Sequence, residues 1–166
     1  MLHSMVSIDI AASDLTVVSL ASVGDEALVR FADGLRDEPR YFGRTNVPQP
    51  SRRWTSMLVH PARRVGFGAV IDAELVGVAR LCASESEHLA MYVAVTPRWR
   101  RLGIATRLMD ETLSLAGSMG DDAVMAITEH RKAAVRSLLS RYQAEATPTA
   151  SRTSSGQLRF LVPLAS

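Results

Sequence analysis

The sequence predicts an α/β (α+β) fold in which a sheet of about six to seven strands is flanked by about four helices. Short segments of alternating apolar residues predict the strands, and longer segments with apolar residues at helical spacing predict the helices. The chain has 166 residues, of which 47% are hydrophobic and 22% are charged. We therefore expect one domain over residues 1–166, with residues 1–13 as a flexible N-terminus.

The N-terminal third predicts one strand and two helices. Residues Leu15–Ala21 alternate as in a strand, and the turn at Gly24 precedes a helix from about Glu26 to Leu35. The segment Asp37–Arg53 is polar and contains three prolines, so it predicts an irregular connection. A short helix near Trp54–His60 is expected to follow it.

The middle of the chain predicts three strands. Val65–Ile71 and Glu74–Ala83 have the pattern of a hairpin, joined by the tight turn Asp72-Ala73. Leu89–Val95 is an apolar segment with the length of one further strand.

The C-terminal part predicts helices alternating with strands. Apolar or small residues recur at helical spacing after Gly103, and Gly120 is expected to end this helix. The inward face of the helix is expected to contain Ala105, Leu108, Met109, Thr112, Leu115, Ala116 and Met119. The remaining predicted elements are a strand Ala123–Thr128, a helix His130–Tyr142, and a closing hairpin of Thr147–Thr153 with Gln157–Leu164.

The composition excludes several classes of protein. The 19 basic and 17 acidic residues leave a formal charge of +2, and only 5% of residues are aromatic, which argues against nucleic-acid binding. No apolar run approaches the roughly 18 residues of a membrane span. The single cysteine, Cys82, cannot form an internal disulfide and is expected to be buried. We expect a cytoplasmic protein, and Lys132 as the only lysine favours a bacterial source.

The most informative segment runs from Met91 to Leu108 and joins an apolar strand to a helix. The first amides of a helix lack intrahelical partners and carry the positive end of its dipole, so they bind anions. Arginines before the helix add charged donors, and a glycine allows close approach of the backbone. The segment therefore predicts a phosphate-binding loop formed by Arg100, Arg101, Leu102, Gly103, Ile104, Ala105 and Thr106.

The motif Arg100-x-x-Gly103-x-Ala105 resembles the (Gln/Arg)-x-x-Gly-x-(Gly/Ala) loop of the GNAT superfamily of acetyltransferases, and the order of predicted elements is similar over nearly the whole chain. The resemblance implies the GNAT fold, in which the central sheet is mixed and mostly antiparallel. It also implies a loop that binds the pyrophosphate of acetyl-coenzyme A (acetyl-CoA), with no metal ion. Segment 20–44 and Trp99 are similar to those of bacterial Pat-type protein lysine acetyltransferases.

The resemblance also implies a site for the pantetheine arm of the coenzyme. In GNAT enzymes two neighbouring strands separate at their carboxyl ends, and main-chain groups of the first strand bind pantetheine. The corresponding residues in this chain are Val93, Ala94 and Val95.

Acetyl transfer to an amine requires a neutral nucleophile, but an amine with a pKa near 10.4 is about 99.9% protonated at pH 7. Ala90 occupies the position that resembles the catalytic glutamate of Pat-type enzymes. His88, two residues earlier, and Glu129, after the next strand, are the alternatives for accepting the proton. A solvated polar residue at a strand end or helix cap is the non-catalytic interpretation of both.

The departing thiolate also needs a proton donor, which many GNAT enzymes supply as a tyrosine from the last helix. Leu139 occupies that position here. Tyr142 lies three residues later, close to one helical turn, and is the predicted donor. Ser137 is another possible donor, and an amphipathic residue at the edge of the core is the non-catalytic interpretation of Tyr142.

The resemblance implies an N-acetyltransferase that moves an acetyl group from acetyl-CoA to a primary amine, on a protein lysine or a small molecule, by direct transfer in a ternary complex. The alternative is a catalytically degenerate GNAT domain that acts as an acyl-CoA sensor or a protein-interaction module, because two catalytic positions depart from the family pattern. GNAT proteins are often dimers, so a homodimer is a further possibility.

Overall fold

The computed structural model describes residues 14–35, 64–84, 87–128, 133–146 and 158–164. Seven strands in these residues form one sheet in the order β1-β2-β3-β4-β5-β7-β6. The strands are β1 (Thr16–Ser19), β2 (Gly66–Ile71), β3 (Glu74–Cys82), β4 (Leu89–Val95), β5 (Ala123–Thr128), β6 (Glu145–Ala146) and β7 (Leu158–Pro163). Only β4 and β5 are parallel among these neighbours. The predicted mixed, mostly antiparallel sheet is confirmed.

Three α-helices lie in the described residues: α1 (Asp25–Gly34), α2 (Ile104–Ser118) and α3 (Ala133–Ser140). Helix α1 begins after Gly24 and carries two acidic residues in its first turn, where they interact favourably with the helix dipole. The predicted helix near Trp54–His60 lies outside the described residues.

The sheet has a core layer on each face. On one face, here called the α1 face, Leu28 and Phe31 of α1 pack with Val78 of β3 and Ala94 of β4. On the other, the α2 face, side chains of α2 and α3 pack against the strands. The buried residues of α2 are Ile104, Leu108, Met109, Thr112, Leu113 and Ala116.

The hairpin of β2 and β3 confirms the predicted turn. Asp72 and Ala73 both have positive φ values, 49° and 63°, as the two central residues of a type I′ turn require. Such a turn matches the twist of the strands that it joins, which explains why two residues suffice here.

Several predicted boundaries need correction. The first strand ends at Ser19, because its side chain accepts a hydrogen bond from the amide of Ala21 and so caps a 3₁₀ turn over Leu20–Ser22. Met119, predicted on the inward face of α2, is 54% exposed, because it follows the last helical residue and the chain turns there at Gly120 (φ 92°).

The last elements also differ from the prediction. Helix α3 ends at Ser140, so Tyr142 lies in the turn after it. Strands β6 and β7 are antiparallel, but β6 (Glu145–Ala146) lies before the predicted hairpin strand Thr147–Thr153, which is outside the described residues.

Gly66 begins β2 in a conformation that favours glycine. Its φ is +141°, and a Cβ atom would lie 2.1 Å from the carbonyl oxygen of Ala79. We expect Gly66→Ala to lower the free energy of unfolding by about 3 kcal/mol or more. Gly117→Ala is the matched control, because a Cβ at this helical position meets nothing within 4 Å. It should raise stability by about 0.5–1 kcal/mol. Equal urea midpoints for the two variants would contradict this assignment.

Candidate functional site

Strands β4 and β5 pair at their amino ends and separate towards their carboxyl ends. Their ladder consists of Leu89↔Val124, Ala90↔Met125 and Met91↔Ala126. Beyond it, β4 stays paired with β3 and β5 stays paired with β7. A gap therefore opens between residues 92–95 of β4 and residues 127–128 of β5, and we call this gap the wedge.

Main-chain groups of two β4 residues face the wedge. The amide of Thr96 donates to the carbonyl of Val76 on β3, with an N···O distance of 2.9 Å. Because main-chain groups point to alternate sides along a strand, those of Ala94 also face β3, whereas those of Val93 and Val95 face the wedge. Of the three predicted pantetheine-binding residues, Val93 and Val95 thus have the required orientation, and Ala94 belongs to the β3 ladder.

The start of α2 lies just beyond the carboxyl end of β4 and has the features of an anion site. Its N-cap, Gly103, is left-handed (φ 79°, ψ 1°) and has no side chain to cap the helix, and the first turn contains no acidic residue. The first described bond back to Gly103 comes from the amide of Arg107, at 3.0 Å. The amides of Ile104, Ala105 and Thr106 precede that bond, so they carry the positive end of the helix dipole.

The two predicted arginine donors occupy different places in the loop. Arg100 is half-buried, and its Nε donates to the carbonyl of Val95 at 2.8 Å, which ties the loop to the end of β4. Arg101 is exposed with a positive φ of 64°, and Leu102 beside it is exposed as well. Arg101 is therefore the better placed of the two to meet an anion from solvent.

The buried side chain of Trp99 holds the loop against the α2-face core. Its ring is buried in the α2-face core, and the Arg98 guanidinium lies 5.1 Å from the ring centroid. The indole thus fixes the 3₁₀ turn Pro97–Trp99 that leads from β4 into the loop.

Comparison with known proteins identifies the family of the chain. A sequence model described as the acetyltransferase (GNAT) family matches residues 29–140. The chain belongs to the GNAT acetyltransferase family. In this GNAT domain, the end of β4 and the open start of α2 are adjacent, because Val95 and Ile104 belong to the same buried cluster.

Solved structures share the fold at low sequence identity. An N-acetyltransferase from Staphylococcus aureus Mu50 has a TM-score of 0.70 and 14% identity, over 91% of this chain and 99% of the other. The ribosomal-protein-S18-alanine N-acetyltransferase from Escherichia coli has a TM-score of 0.65 and 14% identity, over 92% and 95%. The protein yncA from Salmonella typhimurium, solved with its cofactor acetyl-CoA, has a TM-score of 0.69 and 13% identity, over 92% and 95%. No curated protein sequence matches the chain.

Tyr142 joins the end of α3 to the beginning of α2. Its hydroxyl lies 2.7 Å from a carboxylate oxygen of Asp110 and 3.2 Å from the carbonyl oxygen of Thr106. Burial, followed by the hydrogen bond to Asp110, raises the pKa of Tyr142 well above its usual range. The phenol is therefore neutral at physiological pH, and its one proton is directed to groups of α2. The sequence did not indicate a role for Asp110, because an aspartate on the exposed face of a helix is common and belongs to no motif.

The raised pKa of Tyr142 gives a spectroscopic prediction. A phenol whose pKa is higher in the folded state stabilises the fold below its unfolded pKa of about 10, and this contribution is lost as the pH rises further. Tyr142 should ionise above the usual pH range of a phenol in an ultraviolet titration. We expect Asp110→Asn to make that ionisation easier and Tyr142→Phe to remove it. An identical titration curve for wild type and Asp110→Asn would contradict the assignment.

The structure places His88 away from the loop. Its Nδ1 lies 3.6 Å from Asp122 and its Nε2 lies 3.7 Å from Glu87, just before β4 begins. His88 lies five positions before Val93 along the extended chain, which corresponds to about 16 Å. His88 is therefore not brought together with the wedge, and Glu129 lies outside the described residues.

Three further sequence expectations concern the described part of the chain. Cys82 is a free thiol that is partly rather than fully buried, because it ends β3. No three His, Cys, Asp or Glu side chains in that part could together hold a metal ion. None of its helices is long and apolar enough to cross a membrane.

Proposed function

We propose that this GNAT domain transfers an acetyl group from acetyl-CoA to a primary amine, of a protein lysine or a small molecule, by direct transfer in a ternary complex. One observation carries the proposal: the uncapped start of α2 packs beside the end of β4, where Ile104 and Val95 share one buried cluster. An anion site and a strand with outward-facing main-chain groups are thus adjacent, as a molecule with a pyrophosphate and an amide-containing arm requires.

The residues present fit the coenzyme. The amides of Ile104, Ala105 and Thr106 would bind pyrophosphate oxygens, with Arg101 as a charged donor. A Cβ atom at Gly103 would meet no protein atom within 4 Å, so the space in front of this residue is open to a ligand. The main-chain groups of Val93 and the amide of Val95 would bind pantetheine, since the carbonyl of Val95 already accepts a hydrogen bond from Arg100. The acetyl-CoA bound to yncA, which has the same fold, supports this assignment.

The described residues offer few side chains for acid–base catalysis. Ala90 is 1% exposed and offers no acid or base at the position that resembles the Pat-type glutamate. We therefore propose that alignment of the amine and the thioester supplies most of the rate, and that water accepts the amine proton. Tyr142 is neutral and can donate to the departing thiolate once its hydroxyl turns away from Asp110.

The alternative proposal is an acyl-CoA sensor without turnover, and the buried alanine at position 90, which offers no acid or base, favours it. Release of free coenzyme A, measured with ethylamine, lysine and a lysine-containing peptide, separates the two proposals. Hydrolysis of acetyl-CoA without amine is the control. Amine-dependent release would support the transferase, whereas tight binding without amine-dependent release would support the sensor.

A further inference from the structure

The two faces of the wedge differ in how the described helices cover them. On the α2 face, α2 and α3 pack with the strands on the two sides of the wedge, and the hydroxyl of Tyr142 connects them. On the α1 face, α1 packs mainly against β3. A second substrate that must reach a thioester in the wedge is therefore expected to approach from the α1 face.

Three side chains of β4 point to that face: Ala90, Tyr92 and Ala94. The two alanines are 1% and 2% exposed and have no functional group, whereas Tyr92 is only half-buried. Tyr92 also directly follows Met91, the last β4 residue paired with β5. Its ring thus stands at the point where the wedge begins, on the side from which the acceptor would come.

Arg80 on the neighbouring strand β3 lies over the ring of Tyr92. The two residues lie opposite each other in the β3–β4 ladder, and the guanidinium lies 5.9 Å from the centroid of the Tyr92 ring. Arg80 is only 3% exposed, so its position is fixed by the core. A cation over an aromatic face at this distance attracts the ring, which restricts the orientations of the phenol.

We propose that Tyr92 contacts the acceptor and that Arg80 is its positioning residue. This inference rests on the proposed acetyl transfer. The phenolic oxygen accepts a hydrogen bond from an N–H of the amine, which turns the nitrogen lone pair towards the thioester. The exposed part of the ring packs against the carbon chain that carries the amine. The preferred acceptor is accordingly a primary amine at the end of an apolar carbon chain.

The test compares Tyr92→Phe and Tyr92→Ala with wild type, using ethylamine, butylamine and lysine as acceptors. We expect Tyr92→Phe to raise the KM for the acceptor about tenfold, as the loss of one hydrogen bond predicts. Tyr92→Ala should raise it further and abolish the preference for butylamine over ethylamine. The KM and the calorimetric affinity for acetyl-CoA should stay unchanged in both variants.

Arg80 is tested by its conservative variant. Arg80→Met should raise the acceptor KM as Tyr92→Phe does, and Arg80→Lys, which retains a cation, should restore much of the loss. Val18→Ala removes bulk from the same core layer at a distance from the wedge. It should lower the melting temperature without changing the acceptor KM, so it controls for a merely structural effect.

The outcomes separate this inference from the proposed function. Wild-type turnover with an unchanged acceptor KM in Tyr92→Phe and Tyr92→Ala would overturn the role of Tyr92 and leave the transferase intact. Binding of acetyl-CoA without turnover of any amine would overturn the transferase and this inference together. A KM change limited to the acceptor would support both.

Discussion

Gly103→Ala is expected to weaken acetyl-CoA binding about 100-fold. The substitution puts a Cβ atom into the open space in front of the first amides of α2 and disfavours the left-handed conformation (φ 79°) that directs them outward. Loss of two charge-assisted hydrogen bonds, each worth about 1.5 kcal/mol, accounts for a change of this size. Calorimetric titration with acetyl-CoA measures it.

Gly120→Ala provides a matched control for this variant. Gly120 follows the other end of the same helix and has a φ of 92°, and a Cβ atom added there would also meet no atom within 4 Å. Both substitutions should cost about 1–2 kcal/mol of stability, but only Gly103→Ala should affect the coenzyme. Equal affinities in the two variants would show that the loop does not bind acetyl-CoA.

Val93→Pro should weaken the binding of acetyl-CoA, whereas Ala94→Pro should destabilise the fold. The amide of Val93 faces the wedge, so its removal leaves the β3–β4 ladder bonds intact and should weaken acetyl-CoA binding about tenfold. The amide of Ala94 faces β3, so its removal breaks the ladder in the middle of the sheet. Ala94→Pro should therefore lower the free energy of unfolding by about 3 kcal/mol or more.

Thermal unfolding and calorimetry on the same two preparations measure both quantities. The contrast tests the orientation of the β4 main chain. A substitution that changes only a side chain cannot test it, because it leaves the main-chain amide in place. A Val93→Pro protein that unfolds as readily as Ala94→Pro, or that binds acetyl-CoA as tightly as wild type, would contradict the assignment of Val93 to the wedge.

The elements that could be predicted from sequence are those whose signals are local. Strands Leu89–Val95 and Ala123–Thr128 coincide with the prediction, because a buried strand is a continuous apolar run. The turn Asp72-Ala73 and the loop before α2 were predicted for the same reason, since each depends on residues adjacent in the chain.

The parts of the site that sequence did not reveal depend on contacts between elements. Asp110 on α2 contacts Tyr142 in the turn after α3, and Arg80 on β3 contacts Tyr92 on β4. Neither pair has a spacing that a single sequence could show. The inward position of Arg100 was also missed, because a motif gives the residue type but not which atom faces the ligand.

Binding of the acetyl-CoA pyrophosphate by the loop before α2 is the basis of the proposed function. Calorimetric titration of the wild-type protein with acetyl-CoA and with acetyl-pantetheine, which lacks the pyrophosphate, tests it most directly. We predict micromolar binding of acetyl-CoA, about 8 kcal/mol, and loss of binding with acetyl-pantetheine. Equal affinity for the two compounds, or no binding of acetyl-CoA, would contradict this role of the loop.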